Sequence, residues 1–117
     1  MSKIFIQTDN APKAIGNYSQ AIRAGNVVYL SGQIPLDPKT MEMEYSIDAQ
    51  VHRTFKNLCA LASSSGGGPG DIVKLTVYLT DMTHFYQVND IMSDYFKPPY
   101  PARAVIGVAS LPRSALI

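Results

Sequence analysis

Among these 117 residues, the side chain most clearly placed to do chemistry is Arg103. It sits in Ala102-Arg103-Ala104-Val105-Ile106, an otherwise apolar segment, where a guanidinium that cannot lose its charge must be paired. No acidic residue stands near it in sequence, so its partner is either a carboxylate from elsewhere in the fold or a ligand anion. The planar fork of arginine suits a small carboxylate, with each charge-assisted bond worth ~1.5–3 kcal/mol. Asn89 is the second candidate. Helical spacing puts it on one stripe with Phe85, Met92 and Phe96, and an amide left buried and unpaired there costs ~1–3 kcal/mol. Either a structural network or a ligand contact would satisfy it. Tyr18, in a loop after Gly16-Asn17, could lend a phenol hydroxyl or a ring face to a site.

Other reactive residue types read as structural. The glycine run of residues 66–70 follows a helix and precedes a strand, whereas a phosphate loop joins a strand to the helix whose amides hold the anion. It is a flexible turn. His52 and His84 have no second histidine at i+4 and no cysteine pair, so no metal-ligand spacing exists. Cys59 follows Leu58 near an apolar stripe with no basic neighbour in sequence to lower its pKa, and reads as a buried structural thiol. Gly-x-Ser-x-Gly is absent, so nothing supports a serine hydrolase.

The elements that must position Arg103 and Asn89 follow from periodicity. Ser19 to Ala24 and Val27 to Leu30 read as two strands about a Gly25-Asn26 turn, both residues tolerating positive φ. Leu36 to Glu44 is a surface loop. From an N-cap at Ser46, with Asp48 in the first turn, Ile47, Val51, Phe55, Leu58 and Ala62 mark an amphipathic helix that stops at the glycine run. Val73, Leu75, Val77 and Leu79 alternate with polar residues and predict a strand with one face on the core. A second helix, capped near Thr83 and carrying Phe85, Val88, Met92 and Phe96, must end before Pro98-Pro99. The strand Ala102 to Ala109 is apolar on both faces, which implies deep burial or a subunit contact. A short strand is possible at each end of the chain. Together these give an α+β two-layer domain over residues 1–117, a mixed sheet with two helices on one face.

Composition limits the function classes. Lys plus Arg number 10 against 9 for Asp plus Glu, so a net charge of +1 gives no footprint for a polyanion and disfavours nucleic-acid binding. Charged residues are 16% of the chain, below the ~25% usual for soluble domains, and apolar residues reach 46%, which points to a homo-oligomer covering apolar surface. Apolar runs of about six residues fall far short of the ~20 of a membrane span, and the N-terminus lacks the pattern of a secretory signal. One cysteine allows no internal disulfide and agrees with a reducing, cytoplasmic setting.

Several segments in order, Ala14-Ile15-Gly16-Asn17-Tyr18-Ser19-Gln20-Ala21, Ser31-Gly32-Gln33-Ile34-Pro35, Gly70-Asp71-Ile72-Val73-Lys74 and Pro101-Ala102-Arg103 followed by Val108 and Leu111-Pro112, resemble the RidA family of reactive intermediate deaminases, also called YjgF. The resemblance implies a chorismate-mutase-like fold, a homotrimer with ligand sites between subunits, and hydrolysis of small 2-imino acids or their enamine tautomers to 2-oxo acids and ammonia. It implies no cofactor and no metal. Carried over, Arg103 clamps the substrate carboxylate, Tyr18, Ser31 and Asn89 line the pocket, and the backbone carbonyl of Val105 helps position water. Asn17 stands where the family often has proline, and Val105 where many members have cysteine. The family pattern also continues past Leu116 into a strand with a glutamate that orders the attacking water, while this sequence ends at Ile117. Weak deamination, or another acid in that role, is therefore expected. The rival expectation is a non-catalytic trimeric module that binds a 2-oxo acid or other small carboxylate; RNA cleavage or translational inhibition is a third, disfavoured by the near-neutral charge.

Overall fold

The computed structural model describes residues 2–117. In chain order it holds β1 (Lys3–Ile6), β2 (Ala21–Ala24), β3 (Val27–Leu30), α1 (Ile47–Ser64), β4 (Lys74–Leu79), α2 (Phe85–Met92) and β5 (Ala102–Gly107), with 3-10 turns at Pro69–Asp71, Met82–His84 and Pro112–Ser114. Strands of both senses occur, hydrogen-bonded as two sheets. One is antiparallel, in the order β1-β2-β3, and the other is the parallel pair β4-β5. The β2–β3 hairpin closes on Gly25-Asn26 with Ala24 opposite Val27. Gly25 alone takes the positive φ, 62°, a conformation a side chain would oppose.

α1 begins as its sequence dictates: the Ser46 side chain accepts a hydrogen bond from Ala49 N–H at 3.1 Å, with Asp48 in the first turn. Its apolar face and that of α2 pack on one face of β4-β5. The core is Val51 and Phe55 from α1, Leu75, Val77 and Leu79 from β4, Val88, Ile91 and Met92 from α2, then Phe96 and Ile117. The period-two pattern holds from Lys74 to Leu79, whose residues are alternately exposed and buried. Val73, expected to open that buried set, is 80% exposed. The 3-10 turn at Pro69–Asp71 feeds the chain in so that Ile72 packs against the core instead.

Three further expectations are corrected. The second helix starts at Phe85, and the residue that caps the turn before it is Asp81, which accepts from Thr83 N–H at 2.9 Å, rather than Thr83 itself. Phe96 lies past the helix end yet is buried, because the Met92 carbonyl accepts N–H bonds from both Tyr95 and Phe96 and turns the chain inward. The last strand ends at Gly107, two residues early, and is not deeply buried: Ala102 and Ile106 face outward. The helices cover only the opposite face, so Tyr78 and Ile106 are left open, as are Phe5 and Tyr29, in register on either side of Ile22.

Of the two short terminal strands expected, one forms. β1 is a strand, whereas residues 115–117 are not. They are held by Thr80 N–H to Leu116 O at 3.2 Å and Leu116 N–H to Gln50 Oε1 at 2.9 Å, with Ala115 and Ile117 buried. Leu79 is fully buried at the centre of the core. Leu79→Ala is expected to lower the unfolding free energy by ~2–5 kcal/mol and Ser46→Ala by ~0.5–2 kcal/mol, both read from denaturant titration.

Candidate functional site

Arg103 projects from β5 toward α2 and is half-buried. Its Nη1 donates to Asn89 Oδ1 at 3.0 Å and lies 3.5 Å from Met92 Sδ, while the guanidinium carbon stands 5.4 Å from the centre of the Phe85 ring. Phe85, Asn89 and Met92 are spaced i, i+4 and i+7 on α2, so one helical stripe supplies all three contacts. The amide, the thioether and the ring face orient the cation without neutralising it. Among the described residues, no Asp or Glu lies within 4 Å of Arg103; the ion pairs are Arg53 with Asp37 and Glu44, and His84 with Asp81. The choice left open by the sequence, an internal carboxylate or a ligand, therefore loses its first option. Nε and Nη2, the pair of donors along one edge of the guanidinium, bond no protein acceptor among the described residues and match the spacing of a carboxylate's two oxygens.

The backbone of β5 adds acceptors beside this charge. Ala102 N–H bonds Val73 O and Val108 N–H bonds Leu79 O, at the two ends of the β4-β5 ladder. In a parallel pair, alternate residues bond the same neighbour, so the even-numbered residues of β5 face β4. Arg103, Val105 and Gly107 thus turn their backbone groups to the unpaired edge of the strand. The Val105 carbonyl is on that edge, and its half-buried side chain packs on the core.

Tyr18 and Ser31 form a second group. Tyr18 is exposed, and its hydroxyl accepts the Ile15 N–H at 3.1 Å. The Ser31 hydroxyl donates to Ser19 O at 2.6 Å, and its N–H bonds Gln20 O at 2.9 Å. No hydrogen bond among the described residues joins this pair to Arg103 or Asn89. By hydrogen bonding the five candidates fall into two groups, one on β5 and α2 and one beside the hairpin.

Three contributors escaped the sequence. Phe85 and Met92 read as core residues because their spacing is that of a core stripe, and only the position of Arg103 across from them gives them a second role. Gln20 is buried and fastens the segment before Tyr18: its Nε2 donates to Pro12 O at 2.8 Å and its Oε1 accepts Thr8 N–H at 2.8 Å. His52 bonds the Tyr95 hydroxyl through Nδ1 at 2.8 Å. Cys59 is partly buried, and burial pushes its thiol pKa up. No group of three His, Cys, Asp or Glu side chains that could hold a metal ion is found among the described residues, nor a helix long and apolar enough to cross a membrane.

Comparison with known proteins bears on this geometry. The family model for Endoribonuclease L-PSP matches residues 8–117. The chain is 40% identical over 116 residues to the 2-iminobutanoate/2-iminopropanoate deaminase of Dermatophagoides farinae, covering 98% of this chain and 91% of that protein. The crystal structure of RidA from the Antarctic bacterium Psychrobacter sp. PAMC 21119 superposes with a TM-score of 0.94 at 44% identity, over 97% of this chain and 92% of that one. E. coli TdcF with bound serine gives a TM-score of 0.92 at 35% identity, over 97% and 91%.

Asn89 is exposed, so Asn89→Ala is expected to change stability by no more than about 0.5 kcal/mol. By releasing the guanidinium, it should weaken binding of 2-oxobutanoate severalfold, read by calorimetric titration beside a denaturation curve of the same variant.

Proposed function

This chain belongs to the Endoribonuclease L-PSP family, the group of RidA, YjgF and RutC proteins, and from that premise we propose that it hydrolyses small 2-imino acids to 2-oxo acids and ammonia. The observation that carries the reading is the Arg103 guanidinium, fixed by Asn89 and Phe85, with one edge of donors free and no acidic partner among the described residues. That arrangement suits the carboxylate of a 2-imino acid. The similarity to an imine deaminase and to TdcF with bound serine supports the same substrate class.

The chemistry asks little of the protein beyond placement. Water adds to the electrophilic C=N carbon, giving a carbinolamine; proton transfer to nitrogen and cleavage of the C–N bond then release ammonia and leave the 2-oxo acid. Arg103 clamps the carboxylate, and the Val105 carbonyl on the open edge of β5 accepts a hydrogen bond from the attacking water. Holding the two reactants in line supplies most of the acceleration.

Tyr18 and Ser31 line the far side of the pocket, contributed by a neighbouring copy in a homotrimer. Two features support this: the half-sites are unconnected within one chain, and the face bearing Tyr78 and Ile106 is uncovered. The enzyme clears reactive imines and enamines released by pyridoxal-phosphate enzymes in the cytoplasm.

Added to a threonine dehydratase reaction, the protein is expected to speed 2-oxobutanoate release, and Arg103→Ala to lower that effect by about tenfold or more. An unchanged rate with Arg103→Ala would remove the site assignment. Saturable 2-oxobutanoate binding without turnover would instead favour the non-catalytic binding module. The family's endoribonuclease description keeps RNA as a third reading; a net charge of +1 opposes it, and absence of RNA binding even at low salt would dismiss it.

A further inference from the structure

α2 and the 3-10 turn before it lay a line of four side chains along β5. Met82, Phe85, Asn89 and Met92 are separated by three, four and three residues, so they share one side of the turn and the helix. Phe85, Asn89 and Met92 meet Arg103, whereas Met82 meets the other end of the strand, at Gly107. A β-carbon on that glycine would stand 3.1 Å from Met82 Cγ and 3.6 Å from its Sδ, while the nearest backbone atom, Leu79 O, is 4.0 Å away. Carbon atoms pack at ~3.5–4.0 Å, so it is the methionine, not the backbone, that occupies the room of a side chain at position 107.

Arg103, Val105 and Gly107 are alternate residues of β5 and turn to the same face. At a rise of ~3.3 Å per residue, Gly107 lies about 13 Å along the strand from Arg103, with the half-buried Val105 midway. The backbone beside Met82 is fixed. Asp81 Oδ1 accepts the N–H and the hydroxyl of Thr83, at 2.9 and 2.7 Å, and Asp81 O accepts His84 N–H at 3.2 Å. The side chain is held less firmly: it is 45% exposed, and an unbranched thioether chain can swing about its rotatable bonds into solvent.

We infer that Met82 is a specificity-determining residue, a movable stop that sets the length of alkyl group the substrate carries. This rests on the proposed hydrolysis of 2-imino acids at Arg103. With the carboxylate on Arg103 and the imine carbon beside the Val105 carbonyl, a carbon chain that continues in the same direction runs toward Gly107 and ends on Met82. The side chains it passes, Phe85, Val105 and Met82, are all uncharged and apolar. Short unbranched alkyl groups fit that path, a polar group would lose its hydration there, and a longer branched one must push Met82 aside.

The test titrates pyruvate, 2-oxobutanoate and 4-methyl-2-oxopentanoate calorimetrically into the full chain, unsubstituted and carrying Met82→Ala or Met82→Leu. Pyruvate, too short to reach position 82, is the internal reference. Met82→Ala is expected to raise the affinity for 4-methyl-2-oxopentanoate relative to pyruvate about tenfold, with pyruvate itself within about twofold of the unsubstituted protein. Met82→Leu, close in volume, should keep the original ratio within about threefold. Because Met82 is nearly half exposed, truncating it leaves the fold intact, and the retained pyruvate binding reports this. An unchanged ratio in Met82→Ala, or an equal fall in all three affinities, overturns the stop and leaves the proposed function standing. Binding of none of the three by the unsubstituted protein overturns both, since the carboxylate anchor has then failed.

Discussion

A positive charge that cannot be discharged, lodged half out of water among neutral groups, sets the terms for this molecule. Arg103 meets an amide oxygen, a thioether sulfur and the face of a ring. Each is attractive to a cation, and none carries a full opposite charge. A carboxylate in the same place would have held the guanidinium as firmly but cancelled its appetite for an anion, since a paired cation gains little from a second partner. Neutral contacts fix the side chain in place while leaving its charge uncompensated within the described residues.

The surrounding fold serves that requirement. β4, α2 and β5 form one parallel strand-helix-strand unit, so the helix is laid across the pair it connects and its Phe85-Asn89-Met92 stripe faces β5. The alternation of β4 drives Leu75, Val77 and Leu79 into the helices, which anchors the unit against α1. β5 then sits at the margin of its sheet. Its odd-numbered residues send the arginine side chain over α2 and leave a row of backbone groups on the unpaired edge of the strand.

The same economy leaves the chain one-sided. Two helices are enough to cover one face of the β4-β5 pair, and the other presents Tyr78 and Ile106 to solvent, while Phe5 and Tyr29 stand exposed on the antiparallel sheet. A charged fraction of 16% is consistent with a surface built for partial cover. Tyr18 and Ser31, held by local hydrogen bonds to Ile15 and Ser19, have no hydrogen bond to the Arg103 cluster among the described residues.

Local rules were enough to locate α1 from its Ser46 cap and its stripe, β4 from its period of two, the Gly25-Asn26 turn, and Arg103 as a charge out of place. These features are fixed within a few residues by capping, pleat and solvation, which act wherever the segment sits. Tertiary packing decided the rest. It moved the helix start to Phe85 and the cap to Asp81, buried Phe96 beyond the helix end, and exposed Val73 and the outer residues of β5, because burial depends on which elements arrive opposite. It also decided what no spacing could: that Arg103 meets an amide, a thioether and a ring, with no Asp or Glu within 4 Å among the described residues. That answer needed α2 laid across β5, since a charge is satisfied through space and a separation of fourteen positions between Asn89 and Arg103 holds no record of their approach to 3.0 Å.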